Sequence, residues 1–259
     1  MLYWPDVLYW PDVLAEYNSV MRRDDGEVVE QSRARVPSRV GECVSGSTRN
    51  RRLSRVRLRK VRDVSVVNTS EGSPPPSELI ESVNSAPVIE RLSPAGYTYS
   101  FKRYPFGEMG TELSLALLSE TVAALAHAIE RDFSGGETLV VAEPGGLLWG
   151  VAVASNLGLP LWILRTNPTG NESELAVARR TAYSVGQLYV TLPSVVGRVV
   201  FLDDVVSSGG TILTVIAAMR HLGAKLLGCQ TIVARGQGLS VVVGQSNIPV
   251  KALVHDQMV

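Results

Sequence analysis

From residue 77 onward, the apolar residues follow spacings that predict helices and strands. A spacing of three to four residues is typical of an amphipathic helix, and short continuous or alternating apolar runs are typical of strands. The spacing predicts helices over Glu78–Val83, Glu112–Phe133, Leu147–Asn156 and Gly210–Leu222. The runs predict strands over Tyr97–Phe101, Thr138–Ala142, Pro160–Leu164, Gln187–Thr191, Val199–Leu202, Leu226–Val233 and Val250–Val254.

The alternation of these strands and helices indicates the fold class. It predicts an α/β, doubly wound fold, in which a mostly parallel sheet is covered by helices on both faces. In such sheets, ligands bind at the carboxyl ends of the strands. The residues that follow each predicted strand are therefore the candidate functional residues.

The first 76 residues lack both spacings. A hexapeptide, Leu2–Val7, is repeated unchanged at Leu8–Val13. Arg49–Arg62 carries eight basic residues and no acidic one, which is typical either of an arm that binds nucleic acid or of a solvated extension. We favour the extension, because no aromatic residue lies in the run to stack on bases. We predict a poorly ordered extension over residues 1–76 and one domain over residues 77–259.

Composition narrows the functional class further. The chain has 25 basic and 25 acidic residues, so its net charge indicates no polyanionic partner. Cys43 and Cys229 are too few for a disulfide framework or a cysteine zinc site, and the three histidines lie far apart in sequence. The apolar stretches are broken by polar residues, and the N-terminus does not read as a secretory signal. We expect a cytoplasmic protein with neither a membrane partner nor a nucleic-acid partner.

The segment Val199–Thr211 carries the most chemistry. Two adjacent carboxylates, Asp203 and Asp204, follow a buried strand, where they are costly unless they hold a metal or accept hydrogen bonds from ligand hydroxyls. Ser207–Thr211 then brings small residues and hydroxyl groups to a helix N-terminus, which favours phosphate binding. The loop has neither the lysine of a Walker A motif nor the spacing of a Rossmann fingerprint. Acids beside a phosphate cradle suit a ribose 5-phosphate group.

This segment, VVFLDDVVSSGGT, resembles the phosphoribosyl-pyrophosphate motif of the type I phosphoribosyltransferases. Further segments resemble the archaeal purine branch of that family: APVIER (Ala86–Arg91), AEPGGLLWG (Ala142–Gly150), LPLWILRT (Leu159–Thr166), AYSVGQLYV (Ala182–Val190), IVARGQG and IPVKALV. The resemblance covers residues 78–259. It implies the type I phosphoribosyltransferase fold, with a small hood over residues 80–110 and a core over residues 111–259.

The resemblance implies that a purine base (adenine or hypoxanthine/guanine) and phosphoribosyl pyrophosphate give a nucleoside 5'-monophosphate and pyrophosphate. It also implies Mg²⁺ and a homodimer. Asp203 and Asp204 would hold the ribose hydroxyls, directly or through magnesium-bound water. Arg165 would add charge at the pyrophosphate, although an arginine at a strand end is also often only solvated. The other implied substrate-binding residues are Glu143, Pro144, Gly145, Gly146, Val205, Val206, Ser207, Ser208, Gly209, Gly210, Thr211, Phe101, Arg179 and Arg180.

The resemblance also places a mobile catalytic loop over Asn167–Arg180. The sequence departs from the family pattern there, because Glu172 and Glu174 stand where basic residues are usual. Arg179 and Arg180 remain as candidate loop cations, and the alternative is that they lie on the surface of a helix.

The resemblance also implies that the hood supplies the binding site for the base. Phe101, Tyr104 and Phe106 are candidates to stack on a purine face, and Lys102 or Arg103 would bond the edge of the base. The alternative is that the aromatic residues pack the hood itself. Neither interpretation separates adenine from the oxopurines.

Two alternative functions stay open. The first is a non-catalytic regulator of the same fold that senses phosphoribosyl pyrophosphate and binds nucleic acid through the basic run Arg49–Arg62. The acidic loop residues favour it, and the lack of a helix-turn-helix pattern in residues 1–76 disfavours it. The second is a pyrimidine or orotate enzyme, which the purine-branch segment Ser184–Tyr189 disfavours.

Overall fold

The computed structural model describes residues 74–92, 98–107, 112–181, 185–191 and 197–256. Most of the predicted extension, including the repeated hexapeptide and the basic run, lies outside these residues. No helix in the described ranges has the length and apolar composition to cross a membrane.

The helices are α1 (Ser77–Ser85), α2 (Leu115–Asp132), α3 (Gly145–Leu157), α4 (Gly210–His221) and α5 (Gly238–Ser246). The strands are β1 (Val88–Leu92), β2 (Thr98–Lys102), β3 (Thr138–Ala142), β4 (Leu161–Leu164), β5 (Glu174–Arg180), β6 (Val185–Thr191), β7 (Arg198–Val206), β8 (Lys225–Arg235) and β9 (Val250–Asp256).

A central sheet of five parallel strands has the order β4–β3–β7–β8–β9. Strand β7 shows how its two faces are covered. Val200 and Leu202 pack in the cluster that contains α2 and α3, whereas Val199 and Phe201 pack in the cluster that contains α4. All four side chains are at most 2% exposed. The predicted doubly wound, parallel α/β fold is therefore confirmed.

Two departures from the predicted elements lie close to the carboxyl edge of this sheet. The strand predicted to end at Leu202 continues to Val206, because residues on both sides of Asp204 still pair with β8. Helix α5 was not predicted, since its run of three valines (residues 241–243) has no helical spacing.

The hood consists of α1 and the antiparallel pair β1–β2. Leu79 and Val83 of α1 are fully buried in the same cluster as α2. After β2, the rings of Tyr104 and Phe106 stack with centroids 5.1 Å apart, and Phe106 meets Trp149 of α3 edge-on at 6.3 Å. Aromatic packing therefore attaches the hood to the core, and Tyr104 and Phe106 are buried rather than open to a ligand.

Strands β5 and β6 form a separate antiparallel pair. β5 occupies the second half of the segment predicted to be a loop or a helix surface, so that prediction of its secondary structure is wrong. Leu175 and Val177 alternate along β5 and pack in the cluster that contains α4, which gives the segment a buried face. A bridge between Arg165 and Tyr189 joins β6 to the end of β4.

Candidate active site

The two acids are the sixth and seventh of the nine residues of β7, at the carboxyl edge of the central sheet. Oδ1 of Asp203 accepts a hydrogen bond from the backbone N–H of Asp204 at 3.0 Å, and Oδ1 of Asp204 accepts one from Val205 at 2.7 Å. Burial, and then the charge of Asp204, raises the pKa of Asp203 well above its usual range. Burial also raises the pKa of Asp204 to about 6. The site therefore disfavours two negative charges unless a cation or hydroxyl donors compensate them.

The Ser/Gly loop (Ser207–Thr211) joins β7 to α4 and lines a small cavity of about 30 Å³. Gly209 precedes the first residue of α4 with a φ of +77°, and a Cβ atom there would lie 2.4 Å from Cγ2 of Val242. Only glycine fits this conformation and this space. The first N–H groups of a helix have no partner within the helix, so the loop and α4 together have the features of an anion site.

The turn Glu143–Gly146 joins β3 to α3 and contacts the acid pair. The peptide bond between Glu143 and Pro144 is cis. A Cβ atom on Gly145 would lie 2.6 Å from Oδ1 of Asp204, so the backbone of the turn touches this carboxylate and leaves no room for a side chain. Gly146 is buried in the first turn of α3.

A cavity of about 300 Å³ opens between the acid pair, the turn and the hood. We call it the sheet-edge cavity. It adjoins the small cavity, because Asp203, Val205 and Thr211 line both. The predicted site residues that line the sheet-edge cavity are Phe101, Glu143, Pro144, Gly145, Arg179, Asp203, Asp204, Val205 and Thr211. Those that line only the small cavity are Val206, Ser207, Ser208, Gly209 and Gly210.

Arg165 lies outside the lining of both cavities. Its side chain is 49% exposed, and its Nε atom lies 3.9 Å from Oε1 of Glu143. Its main chain is fixed by two hydrogen bonds with Tyr189, at 2.9 and 2.8 Å. The other carboxylate oxygen of Glu143 accepts a hydrogen bond from the N–H of Thr166 at 3.1 Å. The structure therefore does not bring Arg165 together with the acid pair.

Arg179 lies on β5 and lines the sheet-edge cavity. Its Nε atom is buried and has no hydrogen-bond partner in the described part of the chain. Its positive charge lowers the pKa of Asp203, against the larger effect of burial. The side chain of Arg180 is outside the described residues.

Glu174, the first residue of β5, stabilises the turn that precedes the strand. Glu174 accepts hydrogen bonds from the N–H and the hydroxyl of Thr169, at 2.9 and 3.0 Å. Oδ1 of Asn171 accepts one from the N–H of Ser173 at 3.0 Å. Glu174 therefore holds a turn closed, which a basic residue at this position would not do.

Phe101 is the half-buried aromatic residue at the hood side of the sheet-edge cavity. The guanidinium carbon of Arg235 lies 5.7 Å from the centroid of its ring. Lys102 and Tyr104 also border the cavity, but their polar ends are hydrogen-bonded to Asp256. Of the predicted base-site groups, the ring of Phe101 is the one best placed to meet a planar ligand.

A model of the phosphoribosyl transferase domain matches residues 115–248, which is just over half of the chain. The chain belongs to the phosphoribosyltransferase family. The matched segment contains the acid pair, the Ser/Gly loop and the turn Glu143–Gly146. This phosphoribosyltransferase is therefore a transferase, as the sequence motif implied.

The phosphoribosyltransferase also resembles named relatives over most of their length. It is 30% identical over 182 residues to a hypoxanthine/guanine phosphoribosyltransferase of Methanocaldococcus infernus, which covers 70% of this chain and 96% of the relative. It is 33% identical over 178 residues to that of Methanopyrus kandleri, which covers 68% and 90%. A crystal structure of an adenine phosphoribosyltransferase from Thermoanaerobacter pseudethanolicus superposes with a TM-score of 0.55 at 19% identity, covering 68% and 99%. The structural likeness supports the fold.

Among the described residues that line the two cavities of the phosphoribosyltransferase, sequence reasoning missed two polar side chains. Arg235 ends β8, lines the sheet-edge cavity and donates from Nη2 to the hydroxyl of Ser207 at 2.9 Å. The sequence pattern could have indicated Arg235, because this residue stands at the end of a buried apolar strand, as Arg165 does. Thr181 lines both cavities, but a lone threonine after a strand carries no signal in the sequence.

Proposed function

We propose that the chain is a purine phosphoribosyltransferase that transfers the phosphoribosyl group of phosphoribosyl pyrophosphate to a purine base and releases pyrophosphate. The observation that carries this proposal is that the acid pair and the Ser/Gly loop line two adjoining cavities at one edge of the sheet. The relatives named as hypoxanthine/guanine enzymes favour a 6-oxopurine as the base.

The phosphoribosyl group would span the two adjoining cavities. The Ser/Gly loop would bind the 5-phosphate through backbone N–H groups at the start of α4 and through its hydroxyls. Asp203 and Asp204, which precede that loop near the end of β7, would accept hydrogen bonds from the ribose hydroxyls. The turn Glu143–Gly146 would bind the pyrophosphate, because its glycine backbone approaches the acid pair without a side chain between them.

The chain's own groups would act mainly by orientation and charge. As pyrophosphate leaves, C1 of the ribose gains oxocarbenium character, so the base must already lie in line with the breaking bond. Phe101 would support the face of the base. The unpartnered Nε–H of Arg179 would donate to a pyrophosphate oxygen as negative charge develops there. Arg165 and Arg180 are proposed as further cations for the same group.

The acid pair has the properties of a site for hydrated Mg²⁺. This ion prefers oxygen ligands and keeps several waters. Burial raises the pKa of both carboxyls, and in the described ranges neither lies within ion-pair distance of a lysine, arginine or histidine. Asp203 and Asp204 would hold the ion through water. When bound, Mg²⁺ supplies neutralisation of the departing pyrophosphate.

We further propose that residues 77–259 form the catalytic unit and that it is a homodimer. The match of the family to the segment after residue 114 supports the boundary. A variant that begins at Ser77 should fold and keep wild-type turnover, and light scattering should give the mass of two chains. Loss of folding on truncation would contradict the boundary at residue 77. A monomer with full activity would contradict the homodimer.

Turnover with a panel of bases tests the function. The full chain is incubated with phosphoribosyl pyrophosphate, Mg²⁺ and one base at a time, and nucleotide formation is followed by chromatography. We expect product with hypoxanthine or guanine. Binding of phosphoribosyl pyrophosphate without turnover of any base would favour the regulator, and product with orotate alone would favour the pyrimidine enzyme.

A further inference from the structure

A buried polar cluster joins the hood to the last strand of the central sheet. Nζ of Lys102 donates to Oδ1 of Asp256 at 3.3 Å and to the carbonyl oxygen of Val83 at 3.2 Å. The hydroxyl of Tyr104 donates to Oδ2 of Asp256. The side chains of Lys102 and Asp256 are 2% and 0% exposed. We call Lys102, Tyr104 and Asp256 the hood clamp.

The hood clamp is better suited to fixing a geometry than to adding stability. The desolvation of two buried charges offsets most of their attraction. Each oxygen of the Asp256 carboxylate is nevertheless bound by a different residue of the hood, so the carboxylate sets both the distance and the orientation of the segment after β2. Hydrogen-bonded networks in a low-dielectric interior hold such an arrangement tightly.

The hood clamp adjoins the hood side of the sheet-edge cavity, because Lys102 and Tyr104 line it together with Phe101. Side chains alternate along a strand, so Lys102 and Phe101 leave β2 on opposite faces: the Nζ atom of Lys102 reaches Asp256, while the ring of Phe101 lies near the guanidinium of Arg235. Asp256 is also the register partner of Arg235 in the pairing of β8 with β9. Phe101 is therefore next in sequence to one member of the hood clamp, and Arg235 is the cross-strand partner of another.

We propose that Asp256 is a positioning residue for the purine base. It holds β2 against β9 so that the ring of Phe101 keeps its place at the base end of the cavity, and it touches no substrate itself. This inference rests on the proposed function for the identity of the ligand. The phosphoribosyl end of the site is attached to β7 and α4, whose main-chain hydrogen bonds do not involve Asp256, so the two ends of the site should respond differently to its replacement.

The replacement Asp256→Asn tests this role, because it keeps the shape and removes the charge that binds Lys102. The assay is run below the unfolding temperature of the variant. Relative to wild type, we expect KM for the base to rise at least about tenfold, and KM for phosphoribosyl pyrophosphate to change by no more than about twofold. Glu137→Gln is the matched control, since it removes an exposed ion pair with Arg198 at the opposite edge of the sheet and should change neither constant. A parallel rise of both constants, or no change in either, would overturn the proposal.

Two further measurements keep the proposal testable. If Asp256→Asn does not fold, Tyr104→Phe removes one hydroxyl from the hood clamp and keeps the ring. A selective rise of about threefold in KM for the base is then expected, and unchanged constants would overturn the proposal.

Hydrogen exchange of the backbone amides tests the same proposal without an assay of turnover. Whichever of Asp256→Asn and Tyr104→Phe folds should exchange its amides faster than the wild type over residues 98–107, and at the wild-type rate over residues 203–211. Failure of the proposed function would show as an inactive wild type, whereas failure of this inference would show as unchanged exchange over residues 98–107.

Discussion

Replacing Asp204 by asparagine should stabilise the ligand-free protein while it abolishes activity. Burial raises the pKa of Asp204 from its ordinary 3.8 to about 6, so ionising this carboxyl costs more in the folded chain than in the unfolded chain. At about 1.4 kcal/mol per tenfold change, the cost amounts to about 3 kcal/mol of unfolding free energy at pH 8. Asparagine has no charge to desolvate, and its Oδ1 can still accept the hydrogen bond from Val205.

The stabilisation should depend on pH in a defined direction. The folded pKa lies above the unfolded one, so the cost is absent where both states are protonated and is fully present above pH 6. The gain of Asp204→Asn should be about 1 kcal/mol at pH 4.5 and about 3 kcal/mol at pH 8. Urea unfolding at the two pH values measures it. Asp132→Asn is the control of opposite sign, because hydrogen bonds from Arg131 lower the pKa of Asp132.

The reasoning about the acid pair fails if Asp204→Asn is no more stable than wild type at pH 8, or if its gain is the same at both pH values. Either result would mean that the folded chain does not desolvate this carboxylate. A stabilised variant that turns over normally would show that the charge is present for another reason than catalysis.

Three further changes test the surroundings of the acid pair. Gly145→Ala places a Cβ atom 2.6 Å from the carboxylate of Asp204, so kcat/KM should fall about 100-fold in steady-state assays, and a normal value would contradict the close approach. Gly209→Ala forces alanine to a φ of +77° and should lower the unfolding free energy by about 1–3 kcal/mol in urea titrations. Arg235→Met loses the hydrogen bond to Ser207, and KM for phosphoribosyl pyrophosphate should rise about tenfold; an unchanged KM would remove Arg235 from the site.

The parts of the site that could be predicted are local in sequence. The acid pair and the Ser/Gly loop lie within one strand–loop–helix segment, so their chemistry and their place at the sheet edge follow from nine consecutive residues, 203–211. The apolar strands of the central sheet were equally predictable, because strands that are buried on both faces have continuous apolar runs in the sequence. Strand β3 agrees with its prediction at every residue.

The parts that could not be predicted depend on distant pairing. Strand β5 exists because it pairs with β6 and packs on α4, and neither contact is visible in the segment itself. The side chain of Arg165 is half-exposed beside Glu143, which lies in another loop. Lys102 was a candidate for the base edge, but its charge is bound by Asp256, 154 residues away in sequence. No local pattern reports such a partner.

Turnover of the double variant Asp203→Asn and Asp204→Asn tests the central claim most directly, which is that phosphoribosyl transfer occurs at the carboxyl edge of β7. Both replacements keep the side-chain shape, and unfolding in urea verifies that the variant is folded. With phosphoribosyl pyrophosphate, Mg²⁺ and the preferred base, we expect nucleotide formation to fall about a thousandfold or more, while Asp132→Asn keeps the wild-type rate. A folded double variant with wild-type turnover would contradict the account.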